Sequence, residues 1–268
     1  MENHAPYLQD DMVIHALQQN ILNFSNLNFR MLRTYAGIDA GQHARLDRGR
    51  LTIHCQDLLN QYLWSYGPMV ARQWYHVLAR ISNILDQILR QTVHIIDYGC
   101  GQGLALLLVF DKMIGLHHAV QTVTLIEPSN IALQRACYLL SCKLPKTQIY
   151  AVNKKLDDVA QSELRMDCSS IYMHVFSNIL DIDGFDPFSL LHKLLAFGGI
   201  HYFLAVSNDR CCYGGSIRLE TAFDALIHLA QDEGQIIKIS QTQFERFKDV
   251  RNMHHIYFFL KVEIQPYE

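Results

Sequence analysis

No spacing in this chain suggests a framework of disulfides or metal ligands. Seven cysteines occur in 268 residues. The count is odd, Cys211-Cys212 are adjacent, and no Cys-x-x-Cys is present, so a stapled secreted scaffold is excluded and free thiols in a reducing cytoplasm are expected. Fourteen histidines include no His-x-x-x-His. The neighbours His117-His118 and His254-His255 point to different faces of a helix or strand, and no metal site is expected. Missing too is an apolar run of membrane-spanning length, so no membrane association is expected. The opening Met-Glu-Asn-His-Ala-Pro lacks the basic-then-apolar order of a secretory signal. Neither sign of charge dominates: a net charge of −3 gives no field to gather nucleic acid or an acidic membrane. Arg30, Arg33, Arg45, Arg48 and Arg50, offset by Asp39 and Asp47, read first as a solvated, ion-paired face and second as a local substrate patch. Internal repeats and low-complexity tracts are absent.

Half of the residues are hydrophobic and a tenth aromatic, enough for a sizeable core. The first ninety residues predict helices. Leu58, Leu59, Tyr62, Leu63 and Tyr66 recur at three- and four-residue spacing, and after Gly67-Pro68 the stripe resumes from Met69 to Ile88. Ala36 to Gly49, with three glycines and mixed charge, is an expected loop. From Val93 onward strand and helix alternate. Strands are expected up to Asp97, up to Ile126, over 148–152, 170–176 and 200–206, then over 235–240 and 255–262. Helices are expected over 104–114, after Pro128-Ser129, over 187–196 and over 217–230. The polar segment 243–252 reads as a loop between the last two strands, which lack a crossover helix and must run antiparallel.

The chemistry is concentrated at Asp97-Tyr98-Gly99-Cys100-Gly101-Gln102-Gly103. A buried strand ends there in a glycine loop that opens a helix at Leu104, a junction at which a ligand can approach backbone N–H groups. Glu127 ends the next strand. A glycine loop and an acid after the following strand are the minimal apparatus for holding a nucleoside. A dinucleotide site wants a third glycine where Leu104 stands.

The pattern Asp97, Gly99, Gly101, Gly103 resembles motif I of the class I S-adenosylmethionine-dependent methyltransferases. More narrowly, Asn60-Gln61-Tyr62, Gly-Cys-Gly-Gln-Gly from Gly99, Ile-Glu-Pro-Ser from Ile126 and Phe-Ser-Asn-Ile-Leu-Asp from Phe176 resemble a bacterial set of methyltransferase-like proteins. The resemblance implies an α/β fold, a Rossmann-like seven-stranded, mostly parallel sheet with an antiparallel last strand. Residues 1–90 would be a helical cap and 91–268 the methyltransferase domain.

The resemblance also implies S-adenosylmethionine as cofactor. Asp97, Gly99, Cys100, Gly101 and Gly103 would meet its methionine part, Glu127 beside Pro128 the ribose hydroxyls, and Asn153 the adenine. Phe176, Ser177 and Asn178 would lie where cofactor and acceptor meet. Lys154 and Lys155 are a departure beside Asn153. The chain lacks Asn/Asp-Pro-Pro-Tyr/Phe and Pro-Cys after the fourth strand, which speaks against adenine-amino and cytosine C5 methylation. Asp181, Asp183 and Tyr66 are candidate bases, none singled out by spacing; His174 is expected to be a core histidine. Tyr62, Trp64, Tyr66 and Trp74 are candidate aromatic walls. Two functions follow: methyl transfer to an unidentified acceptor (protein, small molecule or RNA), or a catalytically silent cofactor-binding protein that acts through a partner.

Overall fold

A computed structural model describes residues 11–37, 45–47, 51–167, 170–209, 215–229 and 237–265. Cys211-Cys212, Asp39, Arg48, Arg50 and the start of the sixth expected strand lie outside these residues. Four helices come first: α1 (Met12–Gln18), α2 (Phe29–Ala36), α3 (Gln56–Ser65) and α4 (Gly67–Ile88). The alternating half follows as β1 (Val93–Tyr98), α5 (Leu104–Lys112), α6 (Leu116–Ala119), β2 (Val120–Ile126), α7 (Asn130–Lys143) and β3 (Gln148–Val152). Then come β4 (Ile171–Ser177), α8 (Pro187–Leu195), β5 (Gly199–Asn208), α9 (Gly215–Leu229), β6 (Ile237–Lys248) and β7 (His254–Ile264).

The strands form one sheet in the order β3-β2-β1-β4-β5-β7-β6. β1 to β5 are parallel, while β7 runs antiparallel to both β5 and β6. This is the mixed, mostly parallel seven-stranded sheet that the sequence implies. Strand order reverses between β1 and β4, so their carboxyl ends open a crevice. Helices cover both faces. On one face Val93, Ile95, Val123 and Val175 meet α1, α2, α4, α5 and α7 in a cluster that also takes in Val13, Leu32, Leu63 and Trp74. The opposite face joins Tyr98, Phe176 and Phe203 to α8 and α9.

The segment 243–252 departs from the loop expectation. β6 continues through Lys248 and pairs with β7 from Ile237↔Ile264 to Lys248↔His254. Its polar residues alternate with half-buried ones at the sheet edge, so composition alone mimics a loop. His174 is a core histidine, as expected. Tyr98 OH meets its Nδ1 at 2.9 Å, its Nε2 meets His201 Nδ1 at 3.0 Å, and His201 Nε2 meets the Phe197 carbonyl at 3.0 Å. The terminal carbonyl only accepts, so protons run one way along this chain and both rings are neutral.

The helical half is joined to the glycine loop by a fully buried arginine. Arg135 on α7 donates through Nε to Asp11 at 2.9 Å, and through its two terminal nitrogens to Gln102 at 2.8 Å and Asn60 at 2.7 Å. Asp11 also caps α1, accepting from the amides of Val13 and Ile14. Gln102 Nε2 donates in turn to the Leu59 carbonyl.

Two measurements test this account. Arg135→Met strands a buried carboxylate, so it should lower stability in urea unfolding by roughly 3–5 kcal/mol, with part regained in the Arg135→Met, Asp11→Leu double variant. Burial lowers the pKa of His174 and brings His201 down to about 4 from 6.5. The stability this pair contributes is therefore full above pH 6.5 and lost as pH falls toward 4, about 3 kcal/mol for His201 alone. Replacing His174 with Phe and His201 with Leu should flatten the slope of stability against pH in that window.

Candidate functional site

The β1–α5 loop takes a left-handed course at each glycine, with φ of 62° at Gly99, 53° at Gly101 and 78° at Gly103. Gly103 sits against α7, where a side chain would press within 3.1 Å of Ala136 Cβ and 3.2 Å of its Cα. A Cβ on Gly101 would meet nothing within 4 Å. Space is therefore kept open over the middle of the loop. That space belongs to a cavity of about 290 Å³ at the carboxyl ends of β1, β2 and β4, near the lower end of the range for small-molecule sites. Gly99, Gly101, Glu127, Pro128, Ser177 and Asn178 line it.

Glu127 turns its carboxylate to the loop. One oxygen accepts from Gly101 N at 3.0 Å and the other from Ser129 N at 2.9 Å. Each oxygen retains a lone pair for a ligand hydroxyl. Burial raises the pKa of this acid, opposed by the two amides. Asp97 is more extreme. Its side chain is wholly buried, neither oxygen has a hydrogen-bond partner, and burial with the nearby Glu127 charge pushes its pKa well above the usual range. Ionising the buried Asp97 carboxyl beside Glu127 costs stability, a cost that a cation held against the loop would offset.

Other expected residues are placed differently. Phe176 points into the core, stacked on Tyr98 with centroids 4.4 Å apart, because alternation along β4 sends it to the face opposite Ser177. Cys100 and Gly103 support the loop without lining the cavity; burial raises the Cys100 pKa well above its ordinary value, so it is a packed thiol. Asn153 donates its amide to the carbonyls of Glu127 (2.8 Å) and Pro128 (3.0 Å), bracing the loop after β2 from outside the cavity.

Several lining residues carry no motif: Thr52, Ile53 and Leu59 from the N-terminal segment, and Ile182 and Phe185 from the segment after β4, where they join Ile179 of the Phe-Ser-Asn-Ile-Leu-Asp stretch. Ser129 Oγ donates to the Ile53 carbonyl, which ties the N-terminal segment to the start of α7. The signal available in sequence was the proximity of Asn60-Gln61-Tyr62, whose Tyr62 also lines the cavity. Burial, then the charges of Glu127 and Asp181, raise the Tyr62 pKa and keep the phenol protonated. Trp74 lies in the core and reaches the site indirectly, with Nε1 donating to Ser177 Oγ at 2.9 Å. Trp64 lies beneath the Arg33 guanidinium. Lys155 stands at the cavity edge, while Lys154 pairs with Glu163.

Of the candidate bases, Asp181 accepts from Ser207 Oγ at 3.1 Å, and the Tyr66 ring packs against Tyr62 in a tilted pair with centroids 5.1 Å apart. Asp183 lines a neighbouring open groove of about 550 Å³. This groove shares Gly184 and Phe185 with the glycine-loop cavity and adds Asp157, Phe188 and Arg218. No group of three or more potential metal ligands occurs among the described residues.

No protein-family model and no curated protein sequence matches the chain. Among solved structures it is similar to a SAM-dependent methyltransferase from Leishmania major, with 12% identity, a TM-score of 0.46, and 87% of this chain and 89% of that one covered. It is also similar to a SAM-dependent methyltransferase from Methanosarcina mazei, with 14% identity, a TM-score of 0.44, and coverage of 69% and 98%. A third is geranyl diphosphate C-methyltransferase from Streptomyces coelicolor A3(2), with 9% identity, a TM-score of 0.42, and coverage of 70% and 80%.

The buried Asp97 yields a prediction of opposite signs. An acid whose folded pKa exceeds its unfolded value stabilises only at low pH, and the stability is lost as pH rises through the folded pKa. Asp97→Asn should therefore raise the thermal midpoint at neutral pH, by about 2–4 °C for each kcal/mol relieved. The same variant should bind a cationic nucleoside more weakly in calorimetry. A neutral-pH midpoint lowered by the substitution would contradict the account.

Proposed function

We propose that this chain is an S-adenosylmethionine-dependent methyltransferase whose acceptor is unidentified. The observation that carries this reading is the pairing of Asp97, buried without partners, with Glu127 at a glycine loop whose centre is open. The residues fit the cofactor. Glu127 offers two lone pairs to the ribose hydroxyls, the loop amides match the carboxylate and Asp97 the ammonium of the amino-acid portion, and the space over Gly101 admits its chain. Asn153 is assigned to bracing the loop instead of contacting adenine. The sheet order and its reversed last strand are those expected of this fold.

When bound, the sulfonium supplies an activated methyl group that an acceptor can take by in-line displacement. The protein's own residues align and shield. Leu59 and Tyr62 roof the cavity, Ser177 and Asn178 close its β4 end, and Ile179 to Phe185 separate it from the adjoining groove. That groove is the proposed acceptor entrance. Its aspartates suit a polar or cationic group better than an anionic one, and proximity, not acid–base chemistry, supplies the rate. Tyr62 stays protonated and acts as a hydrogen-bond donor.

A second reading, a cofactor-binding protein without turnover, is favoured by one feature. Glu127 is the one acid lining the cavity among the described residues, and it is already committed to the loop. Calorimetry with S-adenosylmethionine, S-adenosylhomocysteine and NAD tests both readings. The first two should bind and NAD should not, and Glu127→Ala should weaken binding by roughly tenfold or more. NAD binding in their place would overturn both. Incubation with labelled methyl donor and cell extract separates the two, since turnover leaves label in protein, RNA or small molecules. Tight binding without label selects the silent protein.

A further inference from the structure

Three polar side chains from the carboxyl edge of the sheet and the start of β7 converge on one amide of α4. Gln73 has no exposed surface. It exchanges two hydrogen bonds with Asn178: Asn178 Nδ2 donates to Gln73 Oε1 at 2.8 Å, and Gln73 Nε2 donates to Asn178 Oδ1 at 3.1 Å. The same Nε2 lies 3.1 Å from His255 Nδ1 and 3.4 Å from Asn208 Oδ1. His255, equally buried, turns its other ring nitrogen to Asp249, with Nε2 3.2 Å from Oδ2. Asp249 is paired with Arg72.

The outer end of this chain sets its direction. Burial alone would raise the Asp249 pKa, but Arg72, the amides of Met253 and Arg251, and His255 together hold it well below the usual carboxylate range. An ionised carboxylate only accepts, so a ring with a single proton carries it on Nε2, at ion-pair distance from Asp249, and leaves Nδ1 as the acceptor 3.1 Å from Gln73 Nε2. Gln73 must then present its NH2 to the ring. The opposite amide orientation would set an oxygen against the Nδ1 lone pair and two carbonyl oxygens. Asn178 follows, because its amide is read by the fixed Gln73.

Asn178 is where such control has a use. It lines the glycine-loop cavity beside Ser177. Its backbone is left-handed, with φ of 54°, a conformation that few residues other than glycine and asparagine adopt. Its own N–H is tied to the Val206 carbonyl at 2.7 Å.

We infer that Gln73 and His255 are positioning residues: the chain Asp249–His255–Gln73 locks the amide and left-handed backbone of Asn178, so that its carbonyl and remaining amide hydrogen meet the ligand in the cavity. Neither Gln73 nor His255 lines the cavity itself. The inference rests on the nucleoside reading for the identity of that ligand.

Three variants test it: Gln73→Glu, which replaces a donor with an acceptor at constant shape, His255→Leu, and His255→Asn. An asparagine oxygen falls near the place of the ring Nδ1 and can still accept from Gln73; leucine cannot. Without ligand, nitrogen-15 spectra of the wild-type His255 ring should show Nδ1 bare and Nε2 protonated, and a protonated Nδ1 would overturn the inference. Hydrogen exchange of the Asn178 side-chain amide should be slow in the wild type and His255→Asn, and fast in Gln73→Glu and His255→Leu. Equal exchange in all four also overturns it.

With S-adenosylhomocysteine, Gln73→Glu and His255→Leu should bind roughly tenfold more weakly, and His255→Asn within about threefold of wild type. Affinity unchanged in folded variants, or a loss in His255→Asn equal to that in His255→Leu, rejects positioning. Wild-type protein that ignores S-adenosylhomocysteine rejects the nucleoside reading instead, and the ligand-free spectra still decide the network.

Discussion

The site depends on a guanidinium that never meets solvent. Arg135 distributes its hydrogen bonds among three elements that are far apart along the chain: the cap of α1, the middle of α3 and the glycine loop. Five fixed donors in one plane suit this task in a way that a flexible ammonium does not. The joint makes the N-terminal helices part of the cavity. Gln102, held by Arg135 on one side and donating to the Leu59 carbonyl on the other, ties the start of α3 to the glycine loop.

What could be read from the sequence follows the reach of each interaction. The strand, loop and helix around Gly99 were legible because hydrophobic runs, missing side chains and the acid lie within a dozen residues. Glu127 was legible because parallel β-α-β units place consecutive strand ends side by side. The Arg135 joint was not, since its partners lie 33, 75 and 124 residues away. Phe176 was assigned to the site by its place at a strand end, whereas pleating sent its ring to the other face. The end of β6 reads as a loop in sequence because an edge strand half in water carries the same polar residues, and only its pairing with β7 reveals it.

Electrostatics ties the fold to its proposed use. A buried carboxyl group with no hydrogen-bond partner in the protein, such as Asp97, persists in a folded chain only where the surrounding packing outweighs its cost. Here that packing is supplied by both sheet faces and by a helical half whose apolar cluster is continuous with the sheet. A cation held against the loop would favour the ionised form of Asp97, which burial and Glu127 disfavour. The chain has no pronounced net charge, so the proposed preference for a cation rests on this local pair and not on a long-range field.

The three loop glycines answer to different pressures. A methyl on Gly99 would come within 2.7 Å of the Ile179 side chain, and one on Gly103 would press on α7, whereas one on Gly101 would enter empty space. A descendant that had abandoned all chemistry would still be held to glycine at the first and third positions by packing alone. Drift at the middle position, for instance to asparagine, would be tolerated by its neighbours and resisted by an occupant. Among sequences that share this loop, the fate of that single residue separates those that still hold a ligand from those that merely keep the shape.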